Sequence, residues 1–329
     1  MTTTTKTDNN KHNPLAISIG DPDGIGPEII VKSWLQRDQL ALPTFFVVGS
    51  ADVLQSIDPQ IPIRIITTAA EAIGCFGTAL PVFDIQASSA AKMVIKSIEQ
   101  AVAFVQSGDA DAIVTAPINK HTLYEAGFKH KGHTDFLAHL AGQDENDAVM
   151  MLHCEQLSVV PLTIHIALRD VAKSISCDKI IKTTKTMLKS LKQRFGFANP
   201  RVAVTGLNPH AGEHGSMGDE EQNIIIPAIK QLQDQGLSVF GPFAADSLFS
   251  EAERNKYDAV LAMYHDQALA PLKALDMQNG VNITLGLDNI IRTSPDHGTA
   301  HEIAGQNMAN PNSMINAIIM AKRLANNNG

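Results

Sequence analysis

Three histidines in this chain each follow a short apolar run that predicts a strand: His165 in 157–167 (LSVVPLTIHIA), His210 in 201–212 (RVAVTGLNPHAG) and His265 in 257–267 (YDAVLAMYHDQ). In an open α/β sheet, residues just past the carboxyl ends of strands face the ligand crevice. Three imidazoles aimed at one crevice can ligate a divalent metal and leave positions open for substrate, the layout of a catalytic centre. A single such histidine is more often a hydrogen-bonded structural residue. The same placement three times over favours a shared site. An all-imidazole donor set suits zinc-like ions, with cobalt, nickel and manganese also compatible. His121, His130, His139, His153 and His214 read as surface or helix residues.

Other chemistry-bearing residues cluster in a few segments. Asp266 directly follows His265, where a carboxylate can orient the imidazole, accept a proton or simply make a turn. Lys273 lies in an apolar stretch, APLKAL. Such a setting can lower an amine's pKa, although an ordinary snorkelling lysine explains it as well. Arg292, after 281–287 and among hydroxyl residues, makes either a carboxylate or phosphate fork or a solvated surface cation. Asn119 and Lys120 end the segment DAIVTAPINK, and His133, Thr134 and Asp135 open a predicted helix in KGHTDFLAH. That second cluster reads equally as an N-cap and as an anion cradle. The turn 20–28, GDPDGIGPE, has G-x3-G-x-G spacing and does not match the dinucleotide fingerprint. Pro27 suits the first helical position and Glu28 the positive end of that helix.

These residues need strands and helices to hold them, and the chain supplies an alternation. Strands are predicted at 15–19, 44–48, 61–66, 112–115, 202–205, 259–263 and 281–285, with an antiparallel pair at 149–154 and 157–166. Helices are predicted from Pro27 and at 88–107, 179–195, 220–235 and 312–325, with a further helix opening at 296–299. Over 88–107, Val94, Ile98, Val102 and Val105 recur on one face and Gly108 stops the run. This pattern means an α/β fold with a mainly parallel sheet. Polar, low-complexity ends at 1–13 and 326–329 are expected to be disordered.

Bulk composition narrows the function classes. The 329 residues are 44% hydrophobic and 18% charged, with a net charge of -8, enough for two domains with ample cores. The acidic balance argues against nucleic-acid binding, so an anionic ligand must be met by a few placed cations. Cys75, Cys154 and Cys177 lack C-x-x-C spacing, which points to reduced thiols and a cytoplasmic protein. Neither a secretory signal nor a membrane span is predicted.

Together, GDPDGIGPE, TAPINK, GHTDF, the LRD after His165, GLNPHAGE, AMYHDQ, GVNITLGL and IRTSPDHGTAHEIAG resemble the 4-hydroxythreonine-4-phosphate dehydrogenase family of vitamin B6 biosynthesis. The blocks run in the family's order from about residue 17 to the last helix. The resemblance implies two α/β/α domains with an interdomain cleft, similar to isocitrate and isopropylmalate dehydrogenases, with residues 14–130 plus 295–329 in one and 131–294 in the other. It implies a homodimer whose active site is shared at the interface; composition, separately, leads us to expect no nucleic-acid or membrane partner. His165, His210 and His265 align with the family's metal ligands, for zinc, magnesium or cobalt. His133, Thr134, Lys273, Asn282 and Arg292 align with its substrate-binding residues.

The reaction so implied is NAD- or NADP-dependent oxidation and decarboxylation of 4-phosphooxy-L-threonine to 3-amino-2-oxopropyl phosphate. Lys273 is expected to move the proton, with Asp266 or Asp246 as alternative bases. No residue is assigned to the nicotinamide. The chain departs from the family at Asp23, where alanine is usual, at His301, and by one residue between Leu287 and Arg292. These differences keep open a dehydrogenase for another phosphorylated hydroxy acid such as threonate 4-phosphate. Because three-histidine metal sites also activate water, a metal-dependent hydrolase or acyl-phosphate transferase is the rival from another class.

Overall fold

The structure, a computed structural model, describes residues 13–125, 127–130 and 132–327. The polar tail expected at 1–13 falls outside this range except for Asn13, whose amide donates to the Gly108 carbonyl at 2.8 Å. At the other end the expectation of disorder is corrected for 326–327. The final helix, Asn312–Asn326, runs through the first of these residues, and Asn327 donates to the Arg194 carbonyl at 3.0 Å.

Strands β1 (Leu15–Ser18), β2 (Phe45–Gly49), β3 (Ile63–Ile65), β4 (Leu80–Asp84), β5 (Ile113–Thr115), β6 (Val149–Cys154), β7 (Leu157–Pro161), β8 (Val202–Thr205), β9 (Val239–Phe243), β10 (Ala259–Ala262), β11 (Val281–Leu285) and β12 (Arg292–Pro295) form one sheet. Its order is β3-β4-β2-β1-β5-β12-β11-β6-β7-β10-β8-β9. Both flanks are parallel, and antiparallel pairing is confined to β12-β11, β11-β6 and β6-β7 at the centre. The chain is therefore the mixed α/β fold its alternation predicted.

Helices cover both faces, and strand periodicity decides which side chain meets which helix. Leu15 and Ile17 of β1 pack with Ile29, Ile30, Met314 and Ile318, from the helices Gly26–Leu35 and Asn312–Asn326. Ala16 between them faces the opposite side, with Val94, Ile98 and Val102 of the helix Ala90–Gln106. On the other flank Val159 and Val260 pack against Ala268 and Leu272 of the helix His265–Leu275. Each fully buried side chain of this size stabilises the fold by about 1.5–3 kcal/mol before chain entropy is charged against it.

Three differences from the sequence reading bear on the site. The strand predicted at 157–166 ends at Pro161, so His165 stands on a loop four residues beyond it. The residues 296–299 open no helix; a short 3-10 turn, His301–Ile303, follows instead. Arg292 does not follow a strand but starts one: β12 pairs antiparallel with β11, with Thr284 opposite Arg292 and Asn282 opposite Ser294. That pairing has a physical cause. Within the buried strand Arg292–Pro295 the Thr293 hydroxyl donates to the Ala317 carbonyl at 2.8 Å and the Arg292 guanidinium donates to the Thr115 and Thr284 hydroxyls at 2.7–3.1 Å, so a polar run is tolerated in the middle of the sheet.

Candidate active site

Sheet order brings the three histidines to one neighbourhood. Strands β7, β10 and β8 are adjacent and parallel, and their carboxyl ends lead into His165, His265 and His210 respectively. The rings of His165 and His265 lie 5.8 Å apart, centroid to centroid. His265 Nδ1 is 2.6 Å from Asp266 Oδ1, a contact that can orient the ring and that leaves Nε2 available to a ligand. The pKa of His165 is lowered by partial burial and by the Lys120 and His265 charges, which keeps it in the neutral form that metals bind.

His210 lies on the loop after β8, whose residues His210 to His214 all have positive φ, between 38° and 77°. His165 also has φ 51°. Left-handed conformation costs a non-glycine residue roughly 1–2 kcal/mol, so two of the three histidines sit on strained backbone. Such strain survives only where surrounding contacts impose it. Among the described residues no three His, Cys, Asp or Glu side chains are drawn together tightly enough to hold an ion. Two of the three imidazoles, His165 and His265, stand side by side and His210 lies at the adjacent strand end, a set of nitrogen donors whose chemistry suits a zinc-like ion.

A second group of residues surrounds a buried cation. Arg292 is 4% exposed, and its guanidinium donates only to hydroxyls: to Thr115 Oγ1 at 2.7 and 3.0 Å and to Thr284 Oγ1 at 3.1 Å. Burial pushes its pKa down to about 9, so it remains charged at neutral pH. Among the described residues no carboxylate lies within ion-pair distance of it. A buried charge without a counter-ion is costly. His133 faces the same region: its pKa is held well below the usual imidazole value by burial, then by Arg292 and Lys120. Its Nε2 is buried with no hydrogen-bond partner, and so is Oδ1 of Asn282. Two such unsatisfied atoms on side chains around an unpaired guanidinium make this region a candidate ligand site.

His133 and Thr134 start the helix His133–Leu140. The capping reading for Thr134 and Asp135 does not hold, because Gly132 is the N-cap and no side chain caps the helix. Lys120 packs over Gly132: a Cβ there would meet its Nζ at 3.7 Å. Lys131, also part of the predicted cluster, lies outside the described residues.

Lys273 pairs with Asp296 at 3.3 Å. Burial raises the pKa of Asp296, against the opposing pull of Lys273. Sequence reasoning missed this partner because it placed 296–299 in a helix. Asp246 is exposed on a short helix, Ala245–Leu248, that packs against the His210 loop. Near β1, the glycine turn is the tight strand-to-helix turn expected. Gly20 has φ 75°, and a Cβ there would lie 2.5 Å from the Pro117 carbonyl oxygen. The adjacent Asp21 carboxylate pairs with His301 at 2.9 Å. Glu28 is structural, accepting from Lys32 Nζ and from the Ala309 amide, both at 2.8 Å.

Comparison with known proteins now decides the family. Residues 41–321 match the family described as Pyridoxal phosphate biosynthetic protein PdxA. The chain belongs to this family. It is 46% identical over 340 residues to the 4-hydroxythreonine-4-phosphate dehydrogenase of Bradyrhizobium diazoefficiens, covering 96% of this chain and 98% of that protein. The enzyme of the same name from Zymomonas mobilis is also 46% identical, over 324 residues, covering 95% and 96%. Among solved structures, 4-hydroxythreonine-4-phosphate dehydrogenase from Klebsiella pneumoniae superposes with a TM-score of 0.85 at 38% identity, covering 95% of this chain and 99% of that one. No helix of the described residues is long and apolar enough to cross a membrane.

Proposed function

We propose that this chain oxidises and decarboxylates 4-phosphooxy-L-threonine to 3-amino-2-oxopropyl phosphate with NAD or NADP, as a homodimer with its site in an interdomain cleft. The observation that carries the reading is the Arg292 pocket. A buried guanidinium without a counter-ion, beside the unpartnered His133 Nε2 and Asn282 Oδ1, fits a dianionic phosphate with polar groups attached. Phosphate oxygens accept from Arg292, from Thr134 and from the amides opening the His133 helix, whose dipole favours negative charge. Lys120 adds charge at the rim.

His165 and His265, with His210 brought in from the next strand end, would hold a divalent ion such as zinc, magnesium or cobalt. When bound, that ion would lower the pKa of the substrate alcohol and stabilise oxygen charge, and a bound nicotinamide would supply the hydride acceptor. Oxidation removes the carbinol hydrogen as hydride and the hydroxyl hydrogen as a proton. The resulting ketone is β to the carboxylate, so CO2 leaves and the carbon it vacates takes up a proton. Lys273, paired with a carboxyl whose pKa burial raises, is suited to carry those protons. Asp266 serves His265 as an orienting group, and Asp246 remains the alternative base beside the His210 loop.

The test is NADH formation from 4-phosphooxy-L-threonine, threonate 4-phosphate and unphosphorylated 4-hydroxythreonine, with and without chelator. The first is expected to turn over best and only with metal present. Turnover of the unphosphorylated compound at the same kcat/KM would remove the phosphate pocket from the account.

A further inference from the structure

One hydrogen-bond cluster is absorbed neither by substrate binding nor by proton transfer. Gln267, two residues past His265, accepts at Oε1 from the Met263 amide and from Thr205 Oγ1, both at 2.7 Å. Its Nε2 donates to the Gly206 carbonyl at 2.8 Å. Because an amide N–H can only donate and a carbonyl can only accept, these partners fix the orientation of the Gln267 amide. Thr163, two residues before His165, donates its hydroxyl to the Met263 carbonyl at 2.8 Å. Met263 therefore joins the His165 loop to the His265 turn, and Gln267 joins that turn to the strand end leading to His210.

The far side of the same loop is held by Glu221, which is 1% exposed. Its Oε1 accepts from the amides of Leu207 and Asn208 at 2.7 and 2.8 Å, and its Oε2 accepts from the Asn208 side chain at 2.9 Å. A Cβ at Gly212 would lie 2.5 Å from that carboxylate, so the left-handed turn wraps directly onto it.

We propose that Gln267 and Thr205 are positioning residues: a polar clasp that sets the spacing of the three histidine-bearing strand ends, with Glu221 holding the His210 loop in its strained shape. This inference rests on the three-histidine metal reading. A fixed spacing matters because a zinc-like ion needs its imidazoles in one geometry, and loss of supporting bonds typically costs about 10–100-fold in metal affinity or activity. The strain carried by His210 to His214 makes the loop dependent on such support.

The experiment is competitive titration of metal-free protein with Co2+ and Zn2+ against a chromophoric chelator, reading the Co2+ absorption bands as well. Wild type is compared with Thr205→Val, Thr205→Ser, Gln267→Glu and His265→Ala, each checked for folding by circular dichroism. Thr205→Val removes only a hydroxyl donor at constant shape, so it decides the matter if Gln267→Glu does not fold. Wild type and Thr205→Ser are expected to bind alike. Thr205→Val and Gln267→Glu are expected to bind about tenfold or more weakly with altered Co2+ bands, and His265→Ala to lose the site. Unchanged affinity and spectra in Thr205→Val and Gln267→Glu, with binding lost in His265→Ala, overturn the clasp and leave the metal reading intact. Failure of wild type to bind overturns both.

Discussion

Replacing Arg292 with methionine separates a ligand-binding cation from a structural one. The substitution keeps chain length and apolar stem but removes the guanidinium. In the proposed complex, two charge-assisted bonds to phosphate, at about 1.5–3 kcal/mol each, are lost. Thr134, the helix amides and Lys120 remain, so the lower end, about 3 kcal/mol, is the fair expectation. At 1.4 kcal/mol per factor of ten this is about a 100-fold loss in affinity for the phosphorylated substrate. Stability moves differently. The fold loses three hydrogen bonds to the hydroxyls of Thr115 and Thr284, but it also loses a buried charge with no counter-ion. Leaving two hydroxyls unpaired costs about 1–3 kcal/mol each, whereas replacing a buried ion by a hydrophobe returns about 1–4 kcal/mol. At the middle of each range, about 4 kcal/mol is lost and about 2.5 kcal/mol returned, a net loss of about 1.5 kcal/mol and a shift of a few degrees in Tm. Calorimetric titration with substrate and with inorganic phosphate measures the first quantity, and thermal melting of the ligand-free protein the second. A large fall in Tm with unchanged phosphate affinity would refute the reasoning and make Arg292 a structural residue.

Three further outcomes follow from the same geometry. Lys273→Ala should lower kcat by about 100-fold or more, the usual worth of a general acid–base, with little change in KM; a rise in KM alone would make Lys273 a binding residue. His210→Ala, at an exposed loop position, should abolish metal-dependent turnover while circular dichroism and Tm stay close to wild type; retained activity with metal bound would remove His210 from the ligand set. His153 is half-buried against Phe195 and Ser158, and loss of ring hydration lowers its pKa from 6.5 to about 4. The unfolded chain therefore takes up a proton that the folded one refuses, so stability is full above about pH 6.5 and falls as pH drops towards 4. The loss amounts to roughly 3 kcal/mol, and urea unfolding of wild type and His153→Gln at pH 7.5 and 4.5 should show the slope flattened in the variant.

Much of this site was legible in the sequence because strand ends are legible. An apolar run followed by a polar residue marks where a buried strand surfaces, and β7, β10 and β8 deliver His165, His265 and His210 in that way. The sequence could not show that these three strands are neighbours, since β10 lies between strands that precede it in the chain. Nor did it reveal β4, β9 and β12. Leu80–Asp84 is interrupted by proline, Val239–Phe243 by glycine and proline, and Arg292–Pro295 is polar, so none has the uninterrupted apolar signature of a strand. Mislaid β12 hid the role of Thr284 and Thr115 as the hydroxyl seats of Arg292, and the helix expected at 296–299 hid the Lys273–Asp296 pair. The backbone strain at His165 and His210 was not legible: histidine enters the left-handed region more readily than most non-glycine residues, but still in only a small minority of cases, so its presence does not mark the turn.

The central claim is oxidative decarboxylation, and product stoichiometry tests it most directly. Purified protein with 4-phosphooxy-L-threonine, NAD and a divalent metal should release one CO2 for each NADH formed, and chelator should stop both together. Release of inorganic phosphate without NADH or CO2 would contradict the account and turn the same histidines towards hydrolysis.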